Sequence, residues 1–156
     1  MHITKAYNKG MDPIDALTSL VIRAHRIGRV VAREAGSSTP AAQWRALSTL
    51  EEEGPLRIGE LAAACRVTQP GMTRLVGQMV EHGLLERHRD PQDERAVVLE
   101  ITDAGRRARA EWIATIRATL APWFADLSDA ERAAIETTAA LLADRTPPNT
   151  RLEPSR

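Results

Sequence analysis

The sequence predicts a mainly α-helical fold that carries one small β-hairpin. Three observations predict it. Apolar residues recur at spacings of three and four in five separate segments, the pattern of a helix with one buried face, and a capping box opens a sixth. Caps and breakers such as Gly36, Thr68, Gly83 and Thr102 separate those segments. At one place only, residues 84–101, the pattern changes to two short extended runs.

The first helix spans Asp12 to Ala35. Ile14, Leu17, Leu20, Val21, Ala24, Ile27, Val30 and Val31 form its apolar side, and Arg23, Arg26, Arg29 and Arg33 mostly lie on the other. Gly36-Ser37-Ser38 breaks it. Thr39 stands as an N-cap ahead of Pro40 at the first helical position, so a second helix runs from about Pro40 to Glu53 with Trp44, Leu47 and Leu50 inward. Gly54-Pro55 stops that helix. Ile58 to Ala64 forms a short third helix with Ile58, Leu61, Ala62 and Cys65 as its apolar side. Thr68 caps a fourth, whose apolar face is Met72, Leu75, Val76, Met79 and Val80, and His82-Gly83 ends it, glycine taking the left-handed position.

The extended runs are Leu84–Arg89 and Arg95–Ile101, joined by Asp90-Pro91-Gln92-Asp93-Glu94 with proline fixing the first corner. Thr102 caps a fifth helix striped by Ala108, Trp112, Ile116 and Leu120, which Pro122 kinks or ends. Ser128-Asp129-Ala130-Glu131 has capping-box spacing and opens a sixth helix to about Asp144. Residues 12–144 therefore read as a single domain, between an N-terminal tail (1–11) and a flexible, proline-containing C-terminal tail (145–156).

Composition narrows the function. The chain has 156 residues, a one-domain length, and its 43% hydrophobic and 27% charged residues are ordinary for a globular protein. No apolar run is long enough to span a bilayer, and Met1–Gly10 has no apolar segment of the kind a signal peptide needs, so a cytoplasmic protein without membrane contact is expected. The single cysteine, Cys65, excludes an intrachain disulfide and a cluster of thiolates. Nucleophile elbow, metal-binding helix motif and glycine-rich phosphate loop are all missing, so the chain does not read as an enzyme and implies no cofactor. His2, His25, His82 and His88 lack zinc-site spacing, and a metal site would need ligands gathered by the fold. With 21 basic and 21 acidic residues the net charge is zero, so any DNA binding must rest on where the arginines stand.

Two short helices joined by a tight turn and followed by a hairpin form the winged helix-turn-helix arrangement, whose second helix enters the major groove. The residues sharpen this. Ile58-Gly59-Glu60-Leu61-Ala62, the run Arg66-Val67-Thr68-Gln69-Pro70-Gly71-Met72-Thr73-Arg74-Leu75-Val76, and His82-Gly83-Leu84-Leu85-Glu86-Arg87 closely resemble segments of the MarR (multiple antibiotic resistance regulator) family. So does the wing, Arg89-Asp90-Pro91-Gln92-Asp93-Glu94-Arg95, leading into Leu99-Glu100-Ile101-Thr102. The resemblance spans roughly residues 12–144. It implies a homodimer in which helices over about 12–36 and 103–144 interlock. Each winged module, about 40–102, would then reach one half of a palindromic operator in double-stranded DNA. It further implies a ligand-responsive repressor, released by a small aromatic or phenolic effector.

The resemblance assigns roles to particular residues. Arg74 matches a base-contacting position, where a guanidinium can bond guanine O6 and N7; the alternative is a solvated helix face. Thr68, Gln69, Pro70, Gly71, Thr73 and Gln78 lie near it and include no carboxylate, so a phosphate backbone can approach. Arg95 matches the wing-tip arginine that enters the minor groove, the alternative being a cross-strand partner for Asp93 or Glu94. Arg87 and Arg89 are candidate phosphate contacts. Arg57 departs from the pattern, standing where Ser or Thr caps the third helix, and is a further phosphate candidate. Trp44 is a candidate for the effector cleft, with core packing the favoured reading. Cys65 reads as a buried, inert thiol rather than a redox sensor. A competing function is a winged-helix protein-interaction module without DNA readout, which neutral charge permits and Arg74 and Arg95 oppose.

Overall fold

The computed structural model describes residues 12–91 and 93–147. Residues 1–11 and 148–156, which hold all of the predicted N-terminal tail and most of the C-terminal one, lie outside the described residues, as does Gln92 in the wing turn. Two compact units are present, divided between Ser37 and Ser38.

The first unit contains α1 (Pro13–Glu34). Asp12 is its N-cap, the carboxylate accepting the Ile14 N–H at 2.7 Å, with Pro13 at the first position where no N–H is needed. Ile14, Leu20, Val21 and Ile22 are exposed on this helix.

The second unit contains α2 (Ala41–Glu53), β1 (Leu56–Arg57), α3 (Ile58–Ala64), α4 (Gln69–Glu81), β2 (Leu85–Asp90), β3 (Asp93–Ile101), α5 (Asp103–Leu120), a 3-10 turn (Ala121–Phe124) and α6 (Asp129–Arg145). The mainly helical class with a small wing is thus observed, with two corrections. Helix α2 begins one residue later than the sequence predicts: Pro40 is itself the cap residue, its ψ of 135° extended rather than helical, and no side chain caps the helix. The hairpin also gains a third strand, giving an antiparallel sheet of order β1-β3-β2 in which Leu56 pairs with Leu99. Two residues are too few to show the alternation by which a strand is read.

The core lies where α2, α3 and α4 meet the inner face of this sheet. Leu47 and Leu50 of α2, Leu61 of α3, Met72, Val76 and Met79 of α4, and Leu85, Leu99 and Ile101 of the sheet are buried together. Each such side chain contributes about 1.5–3 kcal/mol on burial. Helix α5 is joined to α2 by Arg109 Nε donating to Ser48 Oγ at 3.1 Å and by the Arg106–Glu51 ion pair at 3.1 Å. Thr102 ties the root of the wing together: its hydroxyl donates to the Gly83 carbonyl at 2.6 Å and accepts from the Gly105 N–H at 3.0 Å. Pro122 falls just past the end of α5 and opens the 3-10 turn.

Helix α6 starts from the predicted capping box. Ser128 donates to the Glu131 carboxylate from its hydroxyl at 2.6 Å and from its N–H at 2.9 Å. These bonds hold the Glu131 carboxyl below its ordinary value of 4.5. Because the folded value is depressed, the cap's contribution to stability is present above the ordinary value. It is lost as pH falls through the depressed one. An NMR acid titration is expected to show the Ser128 and Glu131 amides holding steady down to the ordinary carboxylate range and moving only below it. Movement centred at or above the ordinary value would contradict the capped geometry.

Candidate nucleic-acid interface

Helix α4 has two different sides. Met72, Leu75, Val76 and Met79 are buried, whereas Gln69, Pro70, Thr73, Arg74 and Gln78 are exposed. At 100° per residue, Arg74 points almost directly away from the buried stripe, with Pro70, Gly77 and Gln78 around it and Glu81 on the same side two turns on. Glu81, at the last position, is the helix's one carboxylate. Arg74 forms no ion pair with any described residue, so its charge is directed to solvent.

The turn into this helix is tight for identifiable reasons. Helix α3 closes with the Arg66 N–H on the Ala63 carbonyl and the Val67 N–H on the Ala62 carbonyl, both at 3.0 Å. Arg66 takes the left-handed position, φ +52°, that glycine usually occupies in this closure. Thr68 then caps α4, its Oγ accepting the Gly71 N–H at 3.3 Å. A Cβ on Gly71 would lie 3.0 Å from that oxygen and 3.1 Å from Val67 Cγ1, so Gly71 has a local packing reason of its own. Thr68 and Gly71, candidates for DNA contact, thus also shape the turn.

The wing sorts its charges by face. Side chains alternate along a strand, so Arg87 and Arg89 share the face of Leu85, while Glu86, His88 and Asp90 lie on the other. The acidic residues of β2 therefore do not dilute the arginine face. The register runs evenly from Leu85–Ile101 to Arg89–Val97 and then jumps to Asp90–Asp93, leaving 94–96 without cross-strand partners. Arg95 lies in this bulge near the tip, exposed, its N–H donating to Asp93 Oδ1 at 3.1 Å. The alternative for Arg95, an ion pair with Asp93, is not formed.

Arg57, a candidate phosphate contact, has a partner within the wing. Its guanidinium faces Asp90, with Nε 2.7 Å and Nη2 2.6 Å from Oδ2, and Asp93 stands 3.8 Å from Nη2. The Asp90 hydrogen bond pushes the guanidinium's pKa further up. Glu60 supplies half a capping box by accepting the Arg57 N–H at 2.7 Å. An arginine side chain is donor-only and cannot provide the other half. Arg57 thus links the start of α3 to the turn of the wing. Asp90, only 8% exposed, was missed as its partner because the two lie 33 positions apart and only the fold brings them together.

Trp44 packs against the core and stacks on Trp112 of α5, with ring centroids 5.1 Å apart and planes 8° from parallel. Among the described residues its Nε1 is a buried polar atom without a hydrogen-bond partner. Cys65 is 1% exposed, and burial pushes its thiol pKa up, partly offset by a hydrogen bond with Thr49. A protonated, enclosed thiol is a poor nucleophile. Ellman's reagent is expected to leave Cys65 unmodified in the native protein and to react fully in denaturant. Rapid reaction under native conditions would contradict its burial.

The helix-turn-helix and wing have the arrangement found in DNA-binding regulators, and comparison with known proteins gives the family. A family profile described as MarR family matches residues 37–96. An HTH-type transcriptional regulator of Mycobacterium bovis is 37% identical over 95 residues, covering 56% of this chain and 66% of its own. The chain thus spans just under two thirds of that relative. The HTH-type transcriptional regulator YsmB of Bacillus subtilis is 30% identical over 109 residues, covering 70% and 73%. A MarR family protein from Bacillus stearothermophilus has a similar structure, with a TM-score of 0.67, 27% identity and coverage of 86% and 97%. The chain belongs to the MarR family of transcription regulators, which is not a family of enzymes. No helix among the described residues is long and apolar enough to cross a membrane.

Proposed function

We propose that this regulator is a cytoplasmic homodimer that represses transcription by reading a palindromic operator and releases it when a small aromatic effector binds. The observation that carries the DNA reading is the exposed face of α4, with unpaired Arg74 at its centre and no carboxylate before Glu81. In this reading Arg74 reaches a guanine edge in the major groove. Thr68, Gln69, Pro70, Gly71, Thr73 and Gln78 lie against the flanking backbone, Arg87 and Arg89 meet phosphates, and Arg95 enters the minor groove. Arg57 positions the wing through Asp90 instead of taking a phosphate itself. The interaction-module alternative gains no comparable support, since the neighbours of Arg74 one turn away on α4 carry no carboxylate and so admit a polyanion.

Exposed apolar side chains support dimerisation. Ile14, Val21 and Ile22 on α1, Ile113 on α5, Trp123 and Phe124 after it, and Ile135 and Leu141 on α6 are all at least 40% exposed. Apolar surface of that extent is normally covered by a partner. Sedimentation velocity at micromolar concentration is expected to give a dimer; a folded monomer would contradict the assembly. For the sign of regulation, the repressor MdtR of Bacillus subtilis is 28% identical over 93 residues. The buried Trp44 indole N–H without an acceptor supports an effector that brings one, such as an aromatic carboxylate. Titrating such acids against the operator complex, with Trp44→Phe as control, tests that part.

A further inference from the structure

The outer face of the wing gathers three residues that the sequence holds apart. Glu86 and Glu100 are direct cross-strand partners on β2 and β3, and His88 stands two residues from Glu86 on the same face. His88 Nε2 is 3.3 Å from Glu86 Oε1 and 3.6 Å from Glu100 Oε2, and one ligand atom from each residue lies within 4.8 Å of the other two. Like charges placed directly opposite each other in a sheet repel. Both carboxylates here also converge on a single ring nitrogen, where one N–H can fully serve only one oxygen.

From this convergence we propose that Glu86, His88 and Glu100 form a binding site for a divalent first-row cation of the zinc class. Around an ion with bonds of 2.0–2.2 Å, neighbouring tetrahedral ligands stand about 3.4 Å apart, close to the two distances from Nε2. One imidazole nitrogen and two carboxylate oxygens suit such an ion, while an all-oxygen set would suit calcium or magnesium better. The double positive charge cancels the cross-strand repulsion and serves both oxygens at once. Register fixes the three positions in the backbone, so only the side-chain rotamers need to be ordered on binding. The remaining coordination positions open toward solvent and a shallow groove lined by His88, Val98, Glu100 and Arg57. The ion joins β2 to β3 on the face opposite Arg87 and Arg89, where it does not compete with them for a phosphate.

The test is calorimetric titration of the full chain with Zn²⁺ in the absence of DNA, repeated with Co²⁺ to follow its visible absorption. Its outcome does not depend on the DNA reading. One saturable equivalent per chain is expected. His88→Gln should weaken binding by roughly 100-fold, as should the double substitution Glu86→Gln/Glu100→Gln. All three side chains are more than 40% exposed, so the variants should fold, which circular dichroism verifies. A variant with His2, His25 and His82 changed to Gln should bind as the parent does. Absence of saturable binding at millimolar Zn²⁺, or binding that survives both wing variants, would overturn the site.

Discussion

Replacing Gly105 with alanine is expected to destabilise the winged unit by about 3 kcal/mol, the upper end for an overpacked core, and to lower the melting temperature by roughly 6–12 °C. Gly105 is buried in the first turn of α5. A Cβ there would stand 2.3 Å from the Leu84 carbonyl oxygen, 2.8 Å from Ile101 Cγ1 and 3.2 Å from the Leu84 carbonyl carbon. The first of these is far inside van der Waals contact, and a backbone atom cannot rotate away as a side chain would. Leu84 is also fixed, since its carbonyl accepts the Thr102 N–H at 3.1 Å and its N–H bonds Met79 O at 2.8 Å. The strain therefore passes to the junction of α4, the wing and α5. Gly59→Ala is the control. A Cβ there meets nothing within 4 Å, and alanine is the better helix former, so no loss of stability is expected. Urea unfolding of the three proteins decides the matter, and a Gly105→Ala midpoint equal to that of wild type would refute the close approach.

Arg74→Ala is expected to cost about 1–3 kcal/mol on the best operator and to relax preference at one base pair per half-site, as for loss of a bidentate base contact. The geometry favours a large effect because the guanidinium has no intramolecular partner to leave and its surroundings on α4 are uncharged. Arg95→Ala should behave differently. At the wing tip its loss should weaken binding most where the sequence beneath the wing is A·T-rich, since that contact reads groove width and potential. Binding curves for both variants against operator, base-substituted operator and unrelated duplex separate the two roles. Equal losses on every duplex would reduce both arginines to phosphate contacts.

The features legible in the sequence are those set locally. The caps at Thr68, Thr102 and Ser128 were readable because each works within three residues of its partner. The buried stripe of α4 followed from its period, and with it the outward direction of Arg74. What escaped were relations fixed only by tertiary pairing. The Arg57–Asp90 pair and the meeting of His88 with Glu100 depend on sheet register, which no local pattern encodes. Strand β1 was too short to show a period. Gly105 stands three residues after the Thr102 cap, yet its reason, the carbonyl of Leu84 pressed against it, lies 21 positions earlier in the chain. The wing's separation of basic and acidic faces was implicit in strand alternation and could have been read from Glu86-Arg87-His88-Arg89 once β2 was assigned.

The most direct test of the account is selection of bound sequences from random duplex DNA, performed in parallel with wild type and Arg74→Ala. Wild type is expected to enrich a palindrome whose half-sites lie about one helical turn, 10–10.5 base pairs, apart, as a twofold dimer with two recognition helices on one side of the duplex requires. The variant should enrich the same palindrome with one position per half-site made degenerate. No enriched sequence for wild type, or the same fully specified sequence for both proteins, would contradict the claim that α4 reads DNA through Arg74.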